Sequence, residues 1–317
     1  MTSIYLDSGR VHLQQSARPE RKPGEALIRL RMGGICNTDL ELKRGYYGFR
    51  GIPGHEFVGE VVEADTPSWR GKRVVGEINL ACHHCDWCAR GLGRHCPNRT
   101  VLGIVNHPGA FAEYLTLPEI NLLEVPDSMP DERAVFVEPL AAACEILEQV
   151  NIPAGSEVAV IGDGKLGLLI AQTLAIHGAR VHQFGRHREK LKIAESAGVQ
   201  GEVIKDHLPQ LKYHWVVEAT GSAQALADAI SMVVPRGTVI CKSTVHEKVS
   251  IDMAPVIVNE ISLIGSRCGR FEPALELLAS DRLHTQEMIS ARYPLEQGIA
   301  AFSHAERRGT LKVLLHP

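Results

Sequence analysis

The feature that most restricts the fold is the segment ACHHCDWCARGLGRHC, which sets Cys82, Cys85, Cys88 and Cys96 in a C-x2-C-x2-C-x7-C array. Three cysteines at two-residue gaps cannot readily pair with one another, yet in a folded loop their sulfurs can converge on one tetrahedral ion. Zinc is the natural occupant of four thiolates, and it would hold together a lobe with too few apolar residues to fold unaided. An Fe–S cluster also takes four thiolates, but this arginine-rich, polar loop gives it little shelter from solvent. His83, His84 and His95 read as exposed bystanders. The array predicts a structural zinc, which speaks to stability and not to chemistry.

Elsewhere the chain has to build ordinary cores. Its 317 residues suggest two domains at about 100–200 residues each, and 44% apolar with 22% charged residues is usual for a globular protein. The net charge of −3 gives no basic footprint for nucleic acid or anionic lipid. No run reaches the length of a membrane span. The opening MTSIYLDSGRVHLQQ lacks the basic and apolar regions of a secretory leader. Eight cysteines without such a leader point to a reducing compartment, where thiols ligate metals more often than they cross-link, so a cytoplasmic protein is expected.

Two textures divide the sequence. Up to about residue 135, short β segments at 26–32, 57–64, 72–76 and 109–117 are separated by glycine and proline, which predicts a barrel-like antiparallel domain. From about residue 140, strands at 157–161, 180–184, 214–219, 238–242 and 261–265 alternate with helices at 165–176, 188–197 and 223–233. That alternation predicts an α/β domain with a parallel, doubly wound sheet. A helix at 273–279 and a strand at 311–315 read as a return to the first domain.

The first strand of the second domain runs into Gly162-Asp163-Gly164-Lys165-Leu166-Gly167 and then an apolar helix. Gly162 permits the tight turn, Gly164 lets a pyrophosphate approach the backbone, and Gly167 lets helix pack on strand. Phosphates would then sit on the unpaired N–H groups at the helix start. An NAD enzyme usually ends the second strand with an acidic residue about 20 positions on. Here that place is held by Gly185, followed by Arg186, His187 and Arg188. No carboxylate stands there to repel a 2′-phosphate, and Arg186 could fork onto one, so NADP is expected over NAD. Thr220, just past the strand at 214–219, completes the cofactor candidates.

The stretch GGICNTDLELKRGYYGFRGIPGHEFVGE, residues 33–60, carries Cys36, Thr38, Asp39, Glu41, His55 and Glu56. A thiolate and an imidazole are the donors zinc takes first, and a carboxylate can complete three protein ligands while leaving a fourth position open. An open position distinguishes a catalytic zinc from a structural one. Tyr46, Tyr47 and Phe49 fall between the two metal donors and could line a pocket mouth or simply pack the loop. Cys144, Cys241 and Cys268 lack ligand-like neighbours and read as packing residues.

Cys36-x-Thr38-Asp39, Gly54-His55-Glu56, the four-cysteine lobe, Glu138-Pro139-Leu140 and the 162–167 turn resemble, in that order, the zinc-containing medium-chain dehydrogenases/reductases. The polyol, glucose and threonine dehydrogenase branch is the most similar, because Glu-Pro-Leu stands where alcohol dehydrogenases carry a third zinc-binding cysteine. The resemblance spans essentially the whole chain. It implies a GroES-like catalytic domain (1–139, with the zinc lobe at 82–96), a Rossmann domain (140–266) and a returning segment (267–317). It implies two zinc ions per chain, and hydride transfer between a small-molecule alcohol or its carbonyl and NAD(P). Cys36 and His55 would bind the catalytic zinc, with Glu56 and Glu138 as the remaining carboxylates in either order. Asp39 would bond the far nitrogen of His55, Thr38 would exchange the substrate proton, and Lys312 would either reach the cofactor phosphates or stand as a solvated strand-end lysine. Glu41 replaces a histidine that passes the proton to solvent in relatives. Relatives of this kind form homodimers or homotetramers. A zinc-free quinone reductase would lack Cys36 and the lobe. A nucleic-acid-binding zinc ribbon would have no use for the dinucleotide turn.

Overall fold

The computed structural model describes residues 1–205, 207–244 and 249–317. The chain divides into two compact units. The first contains Met1–Glu138, Phe271–Ala279 and Ile289–Pro317, and the second Pro139–Arg270 and Ser280–Met288.

The second unit is built on a parallel sheet of six strands: β1 (Glu157–Ile161), β2 (Arg180–Gly185), β3 (Gln200–Val203), β4 (Tyr213–Glu218), β5 (Val233–Cys241) and β6 (Ser262–Gly265), in the order 3-2-1-4-5-6. The order reverses beside β1, and in such sheets ligands bind outside the carboxyl ends of the strands at that point. β1 is EVAVI, buried after its first residue, as expected of a strand covered on both faces. Helix α1 (Lys165–His177) follows it and buries every residue from Gly167 to Leu174, then stops at Gly178 in the left-handed conformation (φ 106°). Helix α2 (Arg188–Glu195) follows β2, burying only Leu191 and Ala194. Helix α3 (Ala223–Met232) buries Ala225, Ala229 and Met232, a stripe at helical spacing. With Ile161, Phe184, Val216 and Val239 of the strands, Ala229, Ile230 and Met232 belong to one continuous core.

The first unit is built on a seven-stranded sheet in which Ile289–Pro294, Lys312–His316, Glu25–Ile35, Glu56–Glu63, Arg73–Gly76 and Leu122–Glu124 are neighbours in that order, and Tyr114–Pro118 also pairs with Glu25–Ile35. All pairings are antiparallel except Ile289–Pro294 with Lys312–His316. The register brings three strand ends together. Gly34 lies opposite Glu56, and Val313 lies opposite Ile35. The side chains of Cys36, Glu56 and Lys312 therefore start from one end of the sheet. An N-terminal hairpin, Thr2–Asp7 with Arg10–Gln15, turns at Ser8 and Gly9, both at positive φ (47° and 79°), as a two-residue hairpin loop requires. Among the described residues no helix is long and apolar enough to cross a membrane.

Candidate active site

Cys36 leaves the strand Glu25–Ile35 and is the N-cap of the helix Asn37–Lys43. Asp39, at the third position of that helix, accepts the Cys36 backbone N–H on Oδ2 (2.8 Å), satisfying one of the donors a helix start leaves open. Its Oδ1 accepts the Gly54 N–H (3.1 Å) and lies 3.4 Å from His55 Nδ1. One buried carboxylate thus holds the loop before His55 and faces the imidazole. Asp39 and Glu56 are fully buried and His55 nearly so. One ligand atom each from Cys36, His55 and Glu56 lies within 4.8 Å of the others. His55 Nδ1 and Glu56 Oε1 are buried without a hydrogen-bond partner among the described residues. Asp39 faces Nδ1 at 3.4 Å, which leaves the other imidazole nitrogen, the Cys36 sulfur and the orphaned Glu56 Oε1 as the donor set, and a set of that kind fits a zinc ion.

Charge dominates this group. Burial alone would lower the His55 pKa, but the charges of Asp39 and Cys36 outweigh it and raise it well above its usual value. Lys312 is 1% exposed, and its Nζ donates to Glu56 Oε2 and lies 5.6 Å from the Phe136 ring centroid. Burial pulls its pKa down, and the charges of Glu56 and Cys36 raise it overall. The Lys312 ammonium is thus placed on a glutamate of the metal group and is not a solvated strand-end cation. A lysine among apolar residues can be buried only with a partner, and Glu56 supplies one. Glu138 opens the helix Val137–Gln149. Its carboxyl is pushed up to about 7, by burial first, with His55 and Lys312 pulling down and Glu56 pushing up. It faces the same charges but is not one of the three residues whose ligand atoms cluster.

Thr38 follows on the helix, and the Cys36 thiol donates to its Oγ1 at 3.7 Å. Glu41 is partly exposed and paired with Arg44 Nη1 at 2.5 Å. The rings of Tyr46 and Tyr47 meet tilted at 41°, with centroids 4.1 Å apart, and Tyr47 is 67% exposed at φ 58°. The hydrogen bond with Tyr47 is the main reason the Tyr46 hydroxyl is pushed up to about 12.

The four-cysteine lobe has its own geometry. Sulfur–sulfur distances are 3.5 Å (Cys82–Cys96), 3.6 Å (Cys85–Cys88), 3.7 Å (Cys85–Cys96) and 4.0 Å (Cys82–Cys88). A tetrahedral zinc with bonds of about 2.3 Å sets its sulfurs about 3.8 Å apart, so the lobe fits that ion and not a pair of disulfides. The backbone N–H of His84 is the main reason the Cys82 thiol falls to about 6. Of the cysteines outside both clusters, only Cys144 is buried, and Cys241 and Cys268 are partly exposed. Cys144 is buried, and burial pushes its thiol up to about 12.

In the second unit, a cleft of about 270 Å³ lies at the carboxyl ends of β1, β2 and β4. Gly162, Gly164, Gly185, Arg186 and Thr220 line it, whereas Lys165, Leu166 and Gly167 do not. A side chain at Gly162 (φ 125°) would meet Ala219 O at 2.6 Å, and one at Gly167 would meet Gly162 O at 2.4 Å. The turn therefore tolerates neither, which is the close packing a dinucleotide loop needs. Thr220 is fixed by Glu218, whose Oε1 accepts both its backbone N–H and its hydroxyl at 2.7 Å. Sequence reasoning missed Asp163, His187, Ser222, Gln224 and Asp228, which also line the cleft. The last three follow from α3 running beside the cleft; Asp163 stood inside the motif as a position without an assigned role.

Two family models match the chain: the alcohol dehydrogenase GroES-like domain over residues 22–127 and the zinc-binding dehydrogenase over residues 166–280. D-arabinitol dehydrogenase 1 of Uromyces fabae is 30% identical, covering 100% of this chain and 97% of its own length. Erythritol/L-threitol dehydrogenase of Mycolicibacterium smegmatis is 30% identical, over 90% of this chain and 88% of its own. A solved zinc-binding dehydrogenase from Sinorhizobium meliloti 1021, bound to NADP, matches with a TM-score of 0.91 at 29% identity, over 100% of this chain and 99% of that one. The chain belongs to the zinc-containing medium-chain dehydrogenases, with a GroES-like domain and a Rossmann-type domain. It is a zinc-dependent oxidoreductase of the alcohol/polyol class, and zinc and NAD(P) are its cofactors. Neither a zinc-free quinone reductase nor a nucleic-acid-binding ribbon accounts for these matches.

Proposed function

We propose that this enzyme interconverts a polyol, or a simpler alcohol, with the matching ketone or aldehyde, using NADP in preference to NAD and two zinc ions per chain. The observation that carries the reading is the convergence of a partly buried Cys36 with the buried His55 and Glu56. Zinc bound there supplies a Lewis acid, the chemistry that lowers the pKa of a bound water to about 7 and acts similarly on an alcohol. Cys36 and His55 hold the ion. Glu56 is the nearer carboxylate and Glu138 the alternate, which supports Glu56 as the third direct ligand. Asp39 keeps the His55 ring and its tautomer in place. Thr38 gives and takes the proton of the substrate hydroxyl, and Glu41, open to water on the same helix, passes it to solvent. Lys312 is reassigned as the counter-charge of Glu56. The second ion sits among Cys82, Cys85, Cys88 and Cys96 and holds the lobe.

The nicotinamide cofactor supplies the hydride acceptor and donor. The 162–167 turn receives its pyrophosphate, with Thr220 and Gly185 on the walls of the cleft. Arg186 supports the NADP preference: it lines the cleft, and among the described residues no carboxylate pairs with its guanidinium. A homodimer or homotetramer is supported by β6, which among the described residues is the last strand of its sheet and exposes Leu263, and by Ile257 (71% exposed) and Val258 (78%) just before it. Two thiolate sites in one chain support a reducing, cytoplasmic setting. A panel of polyols, sugars and aldehydes assayed with both cofactors tests the reading. The expected result is a substrate-dependent change at the NADPH absorbance band with a lower KM for NADP than for NAD; equal values or a preference for NAD defeat the cofactor assignment.

A further inference from the structure

Asp163 is the middle residue of Gly162-Asp163-Gly164, and it is 8% exposed at the edge of the cleft. Its Oδ2 accepts the backbone N–H groups of Arg186 (2.7 Å) and His187 (2.6 Å) and lies 2.9 Å from His187 Nδ1. Gly185 could not carry a side chain, because a Cβ there would meet Asp163 Cβ at 2.6 Å and Oδ2 at 2.8 Å. The expectation that no carboxylate stands at the end of β2 is thus corrected: that space is filled from across the crevice, by a carboxylate of the phosphate turn itself. His187 is the N-cap of α2, so the carboxylate also lies where a helix start favours negative charge.

A carboxylate in that place can do one of two things. It can repel a 2′-phosphate, or it can hold the 185–187 turn in the shape that receives one. Three donors converge on one oxygen, and two of them are backbone N–H groups of the turn. That arrangement spends the carboxylate on the turn and offsets its charge locally. We infer that Asp163 is a positioning residue for cofactor choice, pinning the 186–187 backbone so that Arg186 is aimed at the 2′-phosphate of NADP. The inference rests on the NADP reading above and assigns the discrimination to a pair of turns, not to Arg186 alone.

Calorimetric dissociation constants for NADP+ and NAD+ test it, on the wild type, Asp163→Ala, Asp163→Asn, Arg186→Met and the double variants, with zinc content and melting temperature recorded for each. Asp163→Ala should weaken NADP+ roughly tenfold more than NAD+, the size of one charge-assisted hydrogen bond. Asp163→Asn keeps an oxygen for the two N–H groups and should shift the ratio in the same direction by about threefold. In the Arg186→Met background either change should leave the ratio where Arg186→Met alone puts it. Tighter NADP+ binding in either Asp163 variant, equal weakening of both cofactors, or effects that multiply with Arg186→Met would overturn the inference. If Asp163→Ala does not fold, Asp163→Asn decides alone, and an unchanged ratio there overturns it. A wild type that prefers NAD+ defeats the earlier reading, whereas the inference is judged on the change in ratio that the variants produce.

Discussion

The two metal-ligand clusters of this chain are built in opposite ways. The lobe takes all four sulfurs from one short loop and leaves three of its cysteines partly exposed. The Cys36–His55 site takes its groups from a helix cap, two strand starts that flank Glu25–Ile35, a glycine loop and a second helix, and buries Asp39, His55, Glu56 and Lys312. In the lobe an ion held by the four sulfurs would organise the chain. In the site the sheet register organises the donors first, and the fold carries the desolvation of Asp39, Glu56 and Lys312 whether or not chemistry follows. A local cluster is therefore a stability device that can fail alone, and a distributed one is tied to the core around it.

Substitutions should separate the two. Cys36→Ala should lower kcat/KM by at least about a thousandfold, beyond the 10–100-fold typical of losing an outer partner. NADP binding by calorimetry and the lobe zinc should be unchanged; retained turnover would break the comparison. Cys96→Ser, at the buried cysteine of the lobe, should remove one zinc per chain and cost more than about 4 kcal/mol in urea unfolding. Lys312→Met leaves the Glu56 carboxylate buried without its partner and should cost about 3–5 kcal/mol. Adding Glu56→Gln should recover part of that loss, a coupling the double-mutant cycle reads directly. Asp39→Asn should weaken the catalytic zinc 10–100-fold, measured by competition with a chelator, and leave the lobe ion alone. Arg44→Ala, which frees Glu41 on the exposed side of the helix, should change stability by less than about 1 kcal/mol.

How far the sequence could be read follows the same division. The four cysteines were legible from spacing alone, because nothing more than one loop has to close around them. The β1 strand, its glycine turn and α1 were legible because glycine placement and periodicity are local too. Cys36 and His55 stood far apart in an otherwise unremarkable stretch, and only the pairing of Gly34 with Glu56 explains why their neighbours meet. The Glu56 contact of Lys312 was not legible, because LKVLL looks like a strand with a charged end, whereas the register beside Ile35 carries its ammonium inward to Glu56. The N-terminal hairpin was overlooked, although Ser8-Gly9 between alternating residues is a hairpin signal. Asp163 was hidden by the motif itself, since its partners at 186 and 187 come from the next strand end.

The central claim is that two zinc ions occupy these two differently built sites. Anomalous diffraction from the enzyme above and below the zinc edge tests it most directly. The account predicts two peaks per chain, one among Cys82, Cys85, Cys88 and Cys96 and one between Cys36 and His55. A single peak at the lobe, with Cys36 and His55 holding no ion in the active enzyme, would contradict it.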